Sequence, residues 1–119
     1  MTESTKGLLG DAQLAMMKSE AVIINAARGG VLDEAALLRR LQEKRLAGAA
    51  LDVFAREPLP ASHPLLDHPR VITTPHVGFL SDRTDAEYVR RQADAVVSWR
   101  ANGRPNRAVN EVRTCACLL

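Results

Sequence analysis

The spacing of apolar positions changes period along the chain, and each change marks an element. Ala21-Val22-Ile23-Ile24-Asn25 is a short apolar run rich in β-branched side chains, the pattern of a parallel strand covered on both faces. It ends at the turn Arg28-Gly29-Gly30, after which Asp33 is placed to cap a helix over residues 34–45. Leu37, Leu38 and Leu41 form the inward stripe of that helix, Leu32 and Leu37 are spaced as a hydrophobic staple, and Gly48 follows as the stop. Ala49-Ala50-Leu51-Asp52-Val53-Phe54 then predicts a second strand, so that strand, helix and strand have the length of one parallel crossover unit.

Residues 10–18 predict a short helix with Lys18 at its negative end, and Val71-Ile72-Thr73-Thr74 before Pro75 a third strand. Thr84-Asp85-Ala86-Glu87 reads as a capping box opening a long last helix, which carries Val89, Ala93, Val96 and Val97 at helical spacing and stops at Asn102-Gly103. The proline-rich stretch Glu57-Pro58-Leu59-Pro60, with His63-Pro64, predicts a rigid loop suited to the wall of a site. Together these elements predict an α/β fold: a parallel sheet of about three strands with flanking helices and a long C-terminal helix.

Composition narrows this reading. The chain has 119 residues, 46% of them hydrophobic, enough for one modest core. Its net charge of +2 comes without a clustered basic run, and aromatics make up only 3%, which argues against nucleic-acid binding. No apolar stretch is long enough to span a membrane, and the N-terminus lacks a signal-peptide pattern. Cys115 and Cys117 stand too close in the tail for an unstrained bridge, fitting a reducing cytoplasm, and they miss the prenylation position by one residue. His63, Asp67 and His68 match no zinc spacing, so no metal is expected.

Four polar residues fall at or just after strand ends: Arg28, Asp52, Glu57 and His76. Ligands of open α/β sheets bind outside the carboxyl ends of the strands. An arginine, two acids and a histidine converging there can hold an anionic substrate and move a proton. Each alone has a plainer reading, Arg28 as a surface arginine beside a glycine turn, Asp52 as a satisfied strand-end carboxylate, Glu57 as a solvated acid and His76 as a loop histidine.

Three blocks taken in order change that balance: Asn25-Ala26-Ala27-Arg28-Gly29-Gly30; Gly48-Ala49-Ala50-Leu51-Asp52-Val53-Phe54 with Glu57-Pro58; and Thr74-Pro75-His76-Val77-Gly78. In order and spacing they resemble the D-isomer-specific 2-hydroxyacid dehydrogenases, a likeness running from Thr2 to Asn110. The resemblance implies reversible hydride transfer between a small 2-hydroxy or 2-keto acid and NAD, the commoner cofactor of the family, or NADP. It implies His76 as general acid/base, Glu57 as the partner that stabilises the imidazolium, and Arg28 as the clamp on the substrate carboxylate. For the cofactor it implies Asn25, Ala26, Ala27, Arg28, Asp52, His76 and Gly78, with Asp52 orienting the nicotinamide carboxamide.

The chain departs from the family in two respects. None of its glycines forms the G-x-G-x-x-G fingerprint, and Phe79 follows Gly78 where many members have a second glycine. The expectation is therefore a C-terminal half of a Rossmann-type NAD-binding domain over residues 1–110, followed by an unstructured tail over 111–119. A sheet left open on one side should expose apolar surface, which implies marginal stability, a homodimer, or association with a missing half. A reading of another class, a non-catalytic interaction module of the corepressor type found among relatives, has no docking motif in its favour.

Overall fold

The computed structural model describes residues 2–109, which fall into two compact units, Met1–Gly78 and Phe79–Leu119. The first contains α1 (Asp11–Ala15), β1 (Val22–Asn25), α2 (Glu34–Gln42), β2 (Gly48–Leu51) and β3 (Val71–Thr73), and the second contains α3 (Thr84–Asn102). The strands form one parallel sheet in the order β1-β2-β3. The tail with Cys115 and Cys117, expected to be unstructured, lies outside the described residues.

Alternation along the strands decides which residues enter the core. Ile23, Ala49 and Val71 are partners across the sheet, and this row faces inward with Leu51. Onto it pack Leu37 and Leu41 of α2, Leu14 of α1, and the loop residue Leu65, all almost fully buried. The next row, Ile24, Ala50 and Ile72, points the other way, and Ile24 and Ile72 are 77% and 69% exposed. The expectation that β1 is covered on both faces is thus corrected. An unbroken apolar run shows that both faces are apolar, not that both are covered.

Helix α2 begins as expected, with Asp33 Oδ1 accepting from the Ala36 amide at 2.9 Å. It ends earlier than residue 45. Lys44 adopts a left-handed conformation at φ 59°, and the Arg45 amide turns back to the Arg40 carbonyl at 2.8 Å. Gly48 is not the stop but the first residue of β2, where a Cβ would sit 2.8 Å from the Arg70 carbonyl oxygen. The second strand is shorter than expected; past Leu51 the chain bends, while Asp52, Val53 and Phe54 stay buried. Helix α1 is likewise confined to Asp11–Ala15.

The capping box expected at Thr84 does not form. Thr84 is the first helical residue, preceded by Arg83 with no side-chain cap, and Glu87 turns instead to Arg90 at 2.8 Å and Arg91 at 2.6 Å. Three charge-assisted bonds, two from Arg90 and one from Arg91, outweigh one cap bond for the same carboxylate. At the other end Gly103, at φ 69°, closes α3 as expected, its amide donating to the Trp99 carbonyl at 2.8 Å.

The two faces of β1 make a direct comparison possible. Ile23→Ala should cost about 2–5 kcal/mol by urea unfolding, whereas Ile24→Thr should stay within about 0.5 kcal/mol. Equal costs would contradict the assignment of faces.

Candidate active site

All three strands run the same way, so the residues after β1, β2 and β3 meet on one rim. At the end of β1 the buried Asn25 side chain folds the chain back on itself. Its Nδ2 donates to the Arg28 carbonyl and its Oδ1 accepts from the Ala27 amide, both at 3.1 Å. Ala26 and Ala27 are left exposed on the rim, and the exposed Arg28 guanidinium donates to the Ala27 carbonyl at 2.7 Å. The turn can lie this close to the segment after β2 only because residue 29 is glycine; a Cβ there would fall 1.8 Å from the Phe54 carbonyl carbon.

Asp52, buried at the end of β2, ties down the segment after β3. Oδ1 accepts from the Thr74 hydroxyl at 2.5 Å and the Val77 amide at 2.8 Å, and Oδ2 accepts from the Gly78 amide at 2.8 Å. The Thr74 hydroxyl, then the two amides, hold the Asp52 carboxyl below its ordinary value against the opposing effect of desolvation. A carboxylate has about four acceptor positions. Three are engaged, and the open one is on Oδ2.

Between those anchors His76 takes a left-handed backbone at φ 56°, a conformation uncommon outside glycine. Its Nδ1 lies 2.8 Å from Glu57 Oε2, while Glu57 Oε1 accepts from the Phe54 amide at 2.9 Å. The Phe54 amide, the His76 ring and the nearby Arg28 charge all lower the Glu57 pKa. An ionised Glu57 accepts only, so in the neutral ring Nδ1 carries the proton and the Nε2 lone pair is free for another partner.

Two openings flank this pair. A cleft of about 410 Å³ is lined by Asp52, Phe54, Glu57, Leu59, Thr74 and His76 among others, and a recess of about 230 Å³ by Arg28, Gly29, Glu57 and His76 among others. The structure therefore brings Arg28, Glu57 and His76 together, with Asp52 on the far side of the pair. Asn25, Ala26, Ala27 and Gly78 line neither opening. Gly78 instead meets the Asp52 carboxylate and the Ala26 methyl, where a Cβ would lie 2.9 Å from Oδ2 and 3.9 Å from the Ala26 Cβ. Thr74, which opens the third sequence block but was given no role there, is a site residue through its bond to Asp52. Among the described residues no group of three or more metal-ligating side chains gathers, and no helix is long and apolar enough to cross a membrane.

A family profile described as the NAD binding domain of D-isomer specific 2-hydroxyacid dehydrogenase matches residues 1–78, the whole of the first unit. The chain belongs to this dehydrogenase family. Its sequence is 51% identical over 84 residues to a glyoxylate/hydroxypyruvate reductase B of Yersinia enterocolitica, covering 71% of this chain and 26% of the relative. It is 44% identical over 105 residues to D-3-phosphoglycerate dehydrogenase of Bacillus subtilis, covering 88% of this chain and 20% of that one. Among solved structures, a glyoxylate reductase from Paecilomyes thermophila superposes with a TM-score of 0.84 at 34% identity, over 92% of this chain and 33% of the other. A D-isomer specific 2-hydroxyacid dehydrogenase from Xanthobacter autotrophicus Py2, in complex with NADPH and MES, gives 0.78 at 36% identity, over 96% and 45%. The dehydrogenase-family chain thus has a Rossmann-like parallel sheet and spans about a quarter of the length of the first of these relatives.

Two outcomes follow from the rim. Gly29→Ala should destabilise the chain and lower its melting temperature, since a methyl group cannot coexist with the Phe54 carbonyl; an unchanged melt would contradict the close approach. Because the folded-state pKa of Asp52 is lowered, its stabilising contribution is complete above the ordinary value of 3.8 and is lost as pH falls through the lower folded value. The difference in unfolding free energy between the native chain and Asp52→Asn should therefore narrow below pH 3.8. A constant difference would count against the carboxylate as the anchor.

Proposed function

We propose that this chain supplies the acid/base and substrate-binding rim of an NAD-linked oxidoreductase acting on the CH–OH group of a small 2-hydroxy acid, in the cytoplasm. The observation that carries the reading is the 2.8 Å contact of His76 with Glu57 at the carboxyl rim of a parallel sheet, with Arg28 lining the same recess. In this reading residues 1–110 are the C-terminal half of a Rossmann-type NAD-binding domain. The exposed row of Ile24 and Ile72 supports its association with a second copy or with a segment carrying the phosphate-binding glycines.

Bound nicotinamide supplies the hydride acceptor or donor. The open Oδ2 position of Asp52 fits a carboxamide N–H, and the exposed Ala26 and Ala27, with Asn25 and Gly78, would flank the cofactor at the rim. NAD is the cofactor we favour, with NADP a second candidate, since relatives have been solved with NADPH or NADP.

On the chain's own residues the proton path is short. His76 Nε2 takes the hydroxyl proton of the substrate during oxidation and returns it in the reverse direction. Glu57 keeps the ring in the productive tautomer through Nδ1 and offsets the positive charge while the ring is protonated. Arg28 offers paired N–H donors to the substrate carboxylate and the neighbouring oxygen, a geometry lysine does not provide.

NADH titration followed by fluorescence, then assay against glyoxylate, hydroxypyruvate and other 2-keto acids, tests the reading on the full chain. His76→Asn should lower kcat by about 10²–10⁴-fold while leaving NADH affinity in place. Arg28→Lys should weaken keto-acid binding more than it weakens NADH binding. Turnover that survives His76→Asn would remove the imidazole from the mechanism.

A further inference from the structure

We propose that Glu34 is a positioning residue for the Glu57–His76 pair, acting through the consecutive amides of Ala55 and Phe54 without touching substrate. Glu34 opens α2, where an acid is ordinarily accounted for by the positive end of the helix. Here its carboxylate does more, reaching across 21 positions of sequence so that Oε1 accepts from the Ala55 amide at 2.6 Å. One residue earlier, the Phe54 amide donates to Glu57 Oε1 at 2.9 Å. Two carboxylates from different elements therefore hold the peptide units on either side of the Phe54 α-carbon.

His63 completes the clamp. Its Nδ1 accepts from the Leu65 amide at 3.4 Å, so the neutral ring carries its proton on Nε2, which lies 3.4 Å from Glu34 Oε2. The same ring meets Phe54 edge to face with centroids 6.0 Å apart. Glu34 and His63 are both mostly buried, at 16% and 22% side-chain exposure, whereas Glu57 and His76 are more open at 39% and 44%. The inner acid–imidazole pair is thus the better-packed support, and the outer pair faces the cleft. With Gly29 pressed on the Phe54 carbonyl from the β1 side, the Phe54–Glu57 turn is held from both directions. Removing Glu34 frees an amide on the exposed Ala55, which water can satisfy, so the loss falls on the geometry of the turn.

The functional meaning of this relay rests on the acid/base reading of His76, but the relay is measurable without turnover. The probe is the Glu57 side-chain carboxylate, followed by carbon-13 NMR titration of the full chain. In the native chain its midpoint lies below the ordinary 4.5. Glu34→Ala should move it up towards 4.5 and speed hydrogen exchange at Phe54 and Ala55. Glu34→Gln, whose amide oxygen still accepts from Ala55, should restore most of the native midpoint. Should Glu34→Ala fail to fold, His63→Phe keeps a ring against Phe54 but removes the Nε2 contact with Glu34, and should shift Glu57 the same way by a smaller amount. A Glu57 midpoint left unmoved by Glu34→Ala, or by His63→Phe where Glu34→Ala does not fold, overturns the proposal, whether or not the chain reduces a keto acid.

Discussion

The Asp52 carboxylate bonds three donors of the segment after β3, and the rest of the rim depends on that attachment. Past the Thr74 amide, which donates to the Leu51 carbonyl at 3.0 Å, these bonds are what tie the segment to the sheet. Pinned at Thr74 on one side and at Val77 and Gly78 on the other, it carries His76 through a left-handed turn. That turn presents the imidazole to Glu57. Holding a non-glycine residue in this region costs of order 1–3 kcal/mol, and such conformations persist only where neighbouring contacts over-determine them. The Asp52 bonds and the Glu57 contact are those contacts.

The architecture places two jobs on one edge. Asp52 is buried and its acceptors are mostly committed within the chain, so it acts first as a structural anchor. Its single open position is what a cofactor amide could use. Glu57 is held by a backbone amide on one oxygen and by His76 on the other, so neither oxygen is free to wander. The exposed Arg28 supplies the charge in this recess. Anchor, orienting acid, imidazole and cation thus come from the segments after three strands, which parallel pairing brings to one edge and the Asp52 and Glu57 bonds hold there.

Much of this was legible in the sequence because it follows period and punctuation. The β1–α2–β2 crossover, the Asp33 cap and the strand-end positions of Arg28, Asp52 and His76 were all readable from local pattern. What pattern could not show was set by neighbours distant in sequence. Gly48 reads as a helix stop, yet it is needed because Arg70 crosses close by. The open side of β1 depends on what covers the sheet, which the run Val22-Ile23-Ile24 does not encode. Thr84 and Glu87 have capping-box spacing, but Arg90 and Arg91 compete for the same acid. Nothing in the local pattern singles out Glu34, since its partner amide at Ala55 lies 21 positions away.

The central claim is that Glu57 fixes the tautomer of His76 and so leaves the Nε2 lone pair free for the substrate proton. Long-range proton–nitrogen correlation NMR of the His76 ring, recorded at alkaline pH where imidazole is neutral, reads that tautomer directly. The account expects the proton on Nδ1. A neutral ring carrying its proton on Nε2 would contradict it.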